Sequence, residues 1–536
     1  MMTKDDSIAI KICGPAGSGI MKLGELLSSA LNQCGFFTLT YPEYPSAIRG
    51  GDNNVQIVIS SQENLSPRNK IDLLFALDQK LLDSHREDLK KDALVFDANT
   101  LKIGELPEVT ANPIVKNTVA AGFIWKVLSQ DLYTLLGAIK ETIDEKYVDI
   151  NFRAVKLGYE LQVDEKIKMP ASDAKKKING ATANEIFAKA IKKADCQYCS
   201  IYPITPINSL LGFLSQTDIK MVVPEDEIFA ALSTIGASYA GKRSVTATSG
   251  AGFSLMCEAV GFSSMAEIPL VVVLGQRSGP SSGMPTYSGQ SDLTLAINPG
   301  HGDFPKIVLA PGDLQEAMNL GQTAFNLAEK YQLPVIVLAD KYMCESRFSS
   351  GKDLDEKTIE IDHGKRFEAG SDYCRYKLSH DGISPRAYPG ETTFLTSSYE
   401  HDECGFSADD AKTRTEMMDK RDRKIENMDG GFEVFGNKNS GTLIVGWGST
   451  KSSILEYLAI NPEVKYIHIW RPWPFAADLK KEVLKAKKVI VIENNFSGQM
   501  ASLIEMKTLK PVLRITKDDG RPFYKEELAK LIDQSI

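Results

Sequence analysis

Two loops near the middle of the chain combine residue types suited to holding a small anion. They are Tyr202-Pro203-Ile204-Thr205-Pro206 and Gly275-Gln276-Arg277-Ser278-Gly279-Pro280-Ser281-Ser282-Gly283-Met284-Pro285-Thr286. Each follows an apolar, strand-like run, and each sets Pro or Gly beside hydroxyl groups. Arg277 comes soon after Val271-Val272-Val273-Leu274. In α/β folds ligands bind beyond the carboxyl ends of the strands. A guanidinium placed there offers paired N–H donors to a carboxylate, and the threonine hydroxyls of Thr205 and Thr286 add to it.

Between these loops, Pro224-Glu225-Asp226-Glu227 opens a helical pattern. Acidic residues in a first turn favour the helix dipole, which accounts for three carboxylates without any ligand. Glu227 also precedes the small residues Ala230, Ala231, Gly236 and Ala237, a pattern that lets another body approach the helix face. A carboxylate held on such a face is suited to sharing a proton with a heterocycle nitrogen. Thr246-Ala247-Thr248-Ser249-Gly250-Ala251-Gly252 ends a strand in hydroxyls and glycines, where backbone can come close to a flat ligand.

Other candidates carry two readings each. Gly14-Pro15-Ala16-Gly17-Ser18-Gly19 is a strand–helix turn that can bind phosphate, or simply a tight turn needing positive φ. Its spacing is neither a Walker A nor a dinucleotide fingerprint. Tyr41-Pro42-Glu43-Tyr44-Pro45 with Ile48-Arg49-Gly50-Gly51-Asp52 is a second dense loop, in which Arg49 meets an anion or pairs with Glu43. Cys196 and Cys199 are the only close cysteine pair. They read as half a metal or redox site, or as two buried thiols, and no second pair supplies the four thiolates usual for a cluster. His301 is a proton carrier or a surface histidine. Glu400-His401-Asp402-Glu403 is polar surface or interface, since four consecutive side chains cannot converge on one ion. No metal ligand set is assigned to this chain.

With 536 residues the chain exceeds a single core and predicts about three or four domains. Apolar residues make up 43% and charged residues 25%, the composition of a soluble globular protein. A net charge of −8 disfavours nucleic-acid binding. The basic cluster Lys175-Lys176-Lys177 reads as a solvated linker. No apolar run approaches the ~20 residues that cross a bilayer. The first residues are acidic and enter a strand at once, unlike a signal peptide. Eight cysteines without a framework suggest a reducing, cytoplasmic setting.

The elements that position these loops read as a succession of α/β layers. Residues 1–170 alternate strand and helix and predict a largely parallel sheet. A polar stretch near 165–180 links this unit to a second α/β domain, 180–365, which carries both central loops. Residues 366–430 are charged and poor in apolar runs, and predict a long connecting arm with one exposed helix. Residues 431–536 return to α/β. Three parallel-sheet α/β domains are the expected architecture.

Taken together, Tyr202–Pro206, the Glu225-Asp226-Glu227 helix start, Thr246–Ser254 and the Gln276–Thr286 loop resemble the alpha subunit of 2-oxoacid:ferredoxin oxidoreductases. The arm fits as well, through Asp381-Gly382-Ile383-Ser384-Pro385-Arg386-Ala387 and Glu400–Glu403. The N-terminal segment looks like the family's gamma subunit fused ahead of alpha. The 180–365 domain is then a pyrimidine-binding domain for thiamine diphosphate. The last domain resembles a transketolase-type C-terminal domain, with Glu493-Asn494-Asn495-Phe496-Ser497-Gly498-Gln499 matching a family loop and serving assembly.

The resemblance implies oxidative decarboxylation of a 2-oxoacid with coenzyme A, giving acyl-CoA, CO2 and reduced ferredoxin. It assigns Glu227 to the aminopyrimidine as the catalytic glutamate, with Tyr202 and Ser249 beside the cofactor. Thr205, Arg277 and Thr286 fall to the substrate. The Gly-Asp-Gly…Asn pattern for Mg2+ and diphosphate is absent, as is a multi-cysteine cluster motif. In the family these lie on a beta subunit, so the chain is expected to be half an enzyme in an (alpha-beta)2 assembly. 2-Oxoglutarate is the expected substrate, with pyruvate or a broad 2-oxoacid range as the alternative. A non-catalytic assembly or regulatory subunit of the same fold is the other alternative.

Overall fold

Runs of β-branched and aliphatic residues form the strands of three sheets, which succeed one another along the chain. The computed structural model describes residues 7–45, 51–173, 175–354, 358–369, 372–426 and 428–536. Arg49 therefore lies outside the described residues, as does the start of the chain. In chain order the first strands are β1 (Ser7–Pro15), β2 (Phe37–Glu43), β3 (Asp52–Ser60), β4 (Ile71–Ala76), β5 (Leu89–Asp97) and β6 (Asn179–Ala181). The middle of the chain gives β7 (Tyr198–Ser200), β8 (Lys220–Val222), β9 (Ser244–Ser249), β10 (Leu270–Gln276), β11 (Ile307–Leu309), β12 (Pro334–Asp340) and β13 (Arg347–Ser350). The last five are β14 (Phe432–Gly436), β15 (Thr442–Trp447), β16 (Lys465–Ile469), β17 (Lys488–Glu493) and β18 (Leu513–Thr516).

The α/β class is as expected, but the first sheet is mixed rather than largely parallel. Its order is β5-β4-β1-β3-β2-β13-β6. β1 pairs in parallel with β4, and β4 with β5, whereas β3 runs antiparallel to both β1 and β2. The cause is the connection between β2 and β3. Residues 44–51 are too few for the crossover helix that a parallel pair requires. The sheet also recruits β6 and β13, both antiparallel, from beyond the polar linker. Phe348 lies opposite Leu39 on one side and Ala181 on the other.

The middle sheet, ordered β11-β12-β10-β9-β7-β8, is parallel throughout. β10 is buried along its whole length, as a continuous apolar run in a parallel sheet requires. Val271 and Val273 join the core on one face, and Val272 and Leu274 the core on the other. The second core continues into the C-terminal sheet through Trp447, Ile467 and Met500, so these two layers share one apolar interior. That last sheet is ordered β14-β16-β15-β17-β18 and is parallel except for β14. No helix among the described residues is long and apolar enough to cross a membrane.

Residues 366–410 contain no helix among those described, and the helix Ala411–Arg423 follows. It is less exposed than expected: Met417, Lys420 and Arg421 are buried. Glu267, fully buried, anchors it through Lys420 Nζ at 2.6 Å and Lys424 Nζ at 2.7 Å. Burial pushes the Glu267 carboxyl up, but Lys420, Lys424 and Arg375 together hold it well below the usual carboxylate range. Burial in turn brings Lys424 down to about 7 against the pull of Glu267. A Cys374–Cys404 disulfide closes part of the arm, a pairing not expected from the scattered cysteines. Glu400 accepts from Arg421 at 2.9 Å and from Arg414, and His401 stacks on Tyr376, so that tetrad is an internal polar interface.

Replacing Glu267 by Gln leaves two buried lysines without a counter-charge. Removing one partner of a buried ion pair costs about 3–5 kcal/mol. The expected outcome is a lower urea midpoint together with faster proteolysis of the 411–423 helix; an unchanged midpoint would contradict this account of the arm.

Candidate functional site

The two central loops and Glu227 follow β7, β10 and β8 at the carboxyl end of the parallel middle sheet. Glu227 begins the helix Glu227–Tyr239, whose first turn is capped by Asp226 accepting from Phe229 N at 2.8 Å. The cap fixes the helix start, and Glu227 is thereby turned inward, with 6% of its surface exposed. No hydrogen bond or ion pair engages its carboxylate among the described residues. The neighbouring helix, Gly250–Met265, makes room for it. A Cβ on Gly252 would lie 2.5 Å from Glu227 Oε1 and 2.1 Å from Thr248 Oγ1, so only glycine fits there.

The close approach thus comes from Gly252. Ala230 and Ala231 are instead buried in the core beneath the helix. In the strands of this sheet the hydroxyls of Ser200, Thr246, Thr248 and Ser249 are buried and lack hydrogen-bond partners, and Thr248 Oγ1 meets Glu227 Oε1 at the space left by Gly252. Ser249 occupies the N-cap of the Gly250–Met265 helix, yet its side chain makes no cap bond. Buried polar atoms are almost always satisfied, so the unused Thr248 hydroxyl beside an unpaired carboxylate marks a place for a polar ligand.

Arg277 follows β10 directly and donates from Nη1 to the Thr205 carbonyl at 3.1 Å, which joins the two central loops. Burial lowers the affinity of its guanidinium for a proton, and Asp292 opposes that loss. Asp292 was not singled out in the sequence. Its carboxyl is pushed up to about 6 by burial, with Arg277 pulling the other way. It overlies the start of the same helix: a Cβ on Gly250 would lie 2.5 Å from Asp292 Oδ1. Two acidic groups therefore meet one helix N-terminus, Asp292 at Gly250 and Glu227 at Gly252. A sequence clue to Asp292 exists in the polar run Ser288–Asp292, which continues the Arg277 loop.

Thr286 is buried and donates its hydroxyl to the Pro45 carbonyl of the N-terminal layer at 3.2 Å. Tyr202 lies in the loop after β7 and is exposed. The Glu493–Gln499 loop holds the Asp292 segment: Asn494 N donates to Gln290 Oε1 at 2.8 Å, and Gln499 Oε1 accepts from Thr294 N at 2.8 Å. Its role is to dock the C-terminal layer onto the site.

Other candidates stand apart. Cys196 and Cys199 are buried free thiols, with the Cys199 thiol raised to about 11 by burial. His301 is exposed. In the glycine-rich turn Gly17 and Gly19 have φ of +83° and +79°, and Ser18 Oγ is used by the Pro15 carbonyl.

Gly252→Ala gives a test of the packing. In a helix Gly→Ala ordinarily stabilises by about 0.5–1 kcal/mol. Here the added methyl meets Thr248 and Glu227, and overpacking of about 1–3 kcal/mol outweighs that gain. Thermal unfolding should show a lower transition temperature in the variant.

Comparison with known proteins gives a consistent result. Residues 189–420 match the family model described as pyruvate flavodoxin/ferredoxin oxidoreductase, thiamine diphosphate-binding. Residues 9–161 match that of pyruvate ferredoxin/flavodoxin oxidoreductase. The 2-oxoacid:ferredoxin oxidoreductase subunit alpha of a Sulfolobus species is 32% identical, over 98% of this chain and 96% of its own length. The 2-oxoglutarate synthase subunit KorA of Methanocaldococcus jannaschii is 34% identical, over 66% of this chain and 99% of its own. Among solved structures, the 2-oxoglutarate:ferredoxin oxidoreductase from Magnetococcus marinus, with 2-oxoglutarate, coenzyme A and succinyl-CoA bound, superposes with a TM-score of 0.89. That similarity covers 99% of this chain and 100% of the other at 27% identity.

Proposed function

The chain belongs to the alpha subunits of the 2-oxoacid:ferredoxin oxidoreductases, and on that premise we propose that it binds 2-oxoglutarate and the pyrimidine end of thiamine diphosphate. The observation that carries this reading is the inward-turned Glu227 carboxylate facing Gly252 beside the unused hydroxyl of Thr248. An aminopyrimidine presents ring nitrogens and an amino group, which suit one carboxylate and several hydroxyls. Glu227 holds or returns a proton at the ring nitrogen, and Thr248 and Ser249 supply further hydrogen bonds, with Tyr202 at the rim. Thiamine diphosphate, when bound, supplies the electron sink for decarboxylation.

Arg277 pairs with a substrate carboxylate, and the Thr205 loop that it holds lies against the same anion. Thr286 donates to that carboxylate only after releasing the Pro45 carbonyl, because a hydroxyl has a single proton to give. Substrate entry is thereby coupled to the N-terminal layer. The preference for 2-oxoglutarate rests on the names of the M. jannaschii relative and the M. marinus enzyme. Coenzyme A as the acyl acceptor rests on the same M. marinus structure.

The rest of the reading concerns partners. Mg2+, the diphosphate and an iron–sulfur cluster are assigned to a beta subunit, with ferredoxin as electron acceptor, in a cytoplasmic (alpha-beta)2 assembly. Support comes from the surface beside Glu227. Val223, Ile228, Phe229, Leu232 and Leu255 are between 43% and 54% exposed and form an apolar face suited to burial by another chain.

With the partner subunit present, Glu227→Gln is expected to lower turnover roughly 10²–10⁴-fold, the size of a lost acid–base contact. Steady-state kinetics with a viologen or ferredoxin acceptor measures it, and near-normal turnover refutes the role. Arg277→Ala should lose about 1.5–3 kcal/mol of substrate binding, the range for a charged hydrogen bond. In kcat/KM that is about 10–150-fold. Comparing 2-oxoglutarate, pyruvate and branched 2-oxoacids in the same assay decides the substrate, and equal kcat/KM values would replace 2-oxoglutarate with a broad range.

A further inference from the structure

We propose that Cys13, Asp52 and His85 form a binding site for a divalent transition-metal ion of the zinc class, separate from the thiamine site. The three come from distant points in the sequence: the end of β1, the first residue of β3, and a short 3-10 turn over Asp83–Asp88. Their ligand atoms, a thiol sulfur, a carboxylate oxygen and a ring nitrogen, all lie within 4.8 Å of one another. Tetrahedral zinc with Zn–S of about 2.3 Å and Zn–N or Zn–O of about 2.0–2.2 Å places its donors roughly 3.3–3.6 Å apart. Small side-chain shifts close the set around an ion.

An ion here takes the place of the His85–Asp52 pairing, and Asp52 Oδ2 also accepts from Ser84 Oγ at 3.1 Å. His85 is 6% exposed, and its Nε2 lies 2.8 Å from Asp52 Oδ2 without a well-aligned hydrogen bond. Asp52 Oδ1 is buried and has no hydrogen-bond partner. Cys13 is fully buried and free of any disulfide. Asn54, opposite Cys13 in the β1–β3 register, also has a buried Oδ1 without a partner.

The surroundings also follow the pattern of a metal site. Asp88 Oδ2 approaches the other ring nitrogen, His85 Nδ1, at 3.4 Å, and Lys11 Nζ holds Asp88 at 2.7 Å. A carboxylate behind a ligating histidine orients the ring and fixes which nitrogen faces the ion. Charges balance as well. A thiolate, the Asp52 carboxylate and a divalent cation sum to zero, and the Lys11–Asp88 pair is neutral. Asp52 keeps part of its side chain in contact with solvent, which gives the ion an entry path.

Cobalt(II) is the probe. The full-length chain, stripped with a chelator and titrated with CoCl2 at neutral pH, is expected to develop a thiolate-to-cobalt charge-transfer band. The visible bands of four-coordinate cobalt should accompany it, with saturation at about one ion per chain. Cys13→Ser should abolish the charge-transfer band. Asp88→Asn, which touches no ligand atom, should keep the band but weaken cobalt affinity about 10–100-fold. Absence of any band in the unaltered chain overturns the proposal. So does a band that persists in Cys13→Ser, which would place the ion on another thiol.

Discussion

An acidic group without a partner, held inside a folded domain, is the constraint around which the middle layer is arranged. Two buried glutamates of that layer show the contrast. Glu267 is surrounded by Lys420 and Lys424, and its charge ties the arm to the core. Glu227 has no such neutralisation. Burying a carboxylate without compensation is costly, and a fold selected for stability alone would pair it or expose it. The Asp226 cap and the missing side chain at Gly252 do neither; they hold the group in place and leave its oxygens free. Strain of this kind gathers where a ligand completes the hydrogen bonding.

The remaining layers matter because they converge on the segment between Arg277 and Asp292. The C-terminal layer grips it through Asn494 and Gln499, and Ser288 N donates to the Gly520 carbonyl at 2.8 Å. The N-terminal layer reaches it through Pro45, and Glu43 braces that loop against Arg521 at 2.8 Å. Three layers thus fix one loop whose own sequence, rich in Gly, Pro and Ser, has little to hold it. A guanidinium must be placed to within a fraction of an ångström to pair with a carboxylate, and rigid neighbours supply that precision.

What could be read in the sequence was what is local. Glu227 at a helix start, and Arg277 and Thr205 in loops after apolar runs, are patterns written within a few residues, and all three follow strands at the carboxyl end of the middle sheet. Features made by distant residues were not legible. β6 and β13 join the first sheet across more than a hundred intervening residues, with no local sign of it. The antiparallel β3 depended on the brevity of the 44–51 connection, which outweighed the strand–helix alternation around it. Asp292 is a lone acid in a polar run, and its importance comes from the backbone of Gly250 beneath it. Cys374 and Cys404 looked scattered because they stand 30 positions apart, and the arm folds back to join them.

The Cys13, Asp52 and His85 group extends this reasoning to the N-terminal layer. Asp52 begins β3, and Glu43 ends β2, so both border the connection that includes Pro45. One end of that connection accepts the Thr286 proton; the other carries the carboxylate offered to a metal ion. An ion on Asp52 restrains its end through bonds to β1 and to the Asp83–Asp88 turn.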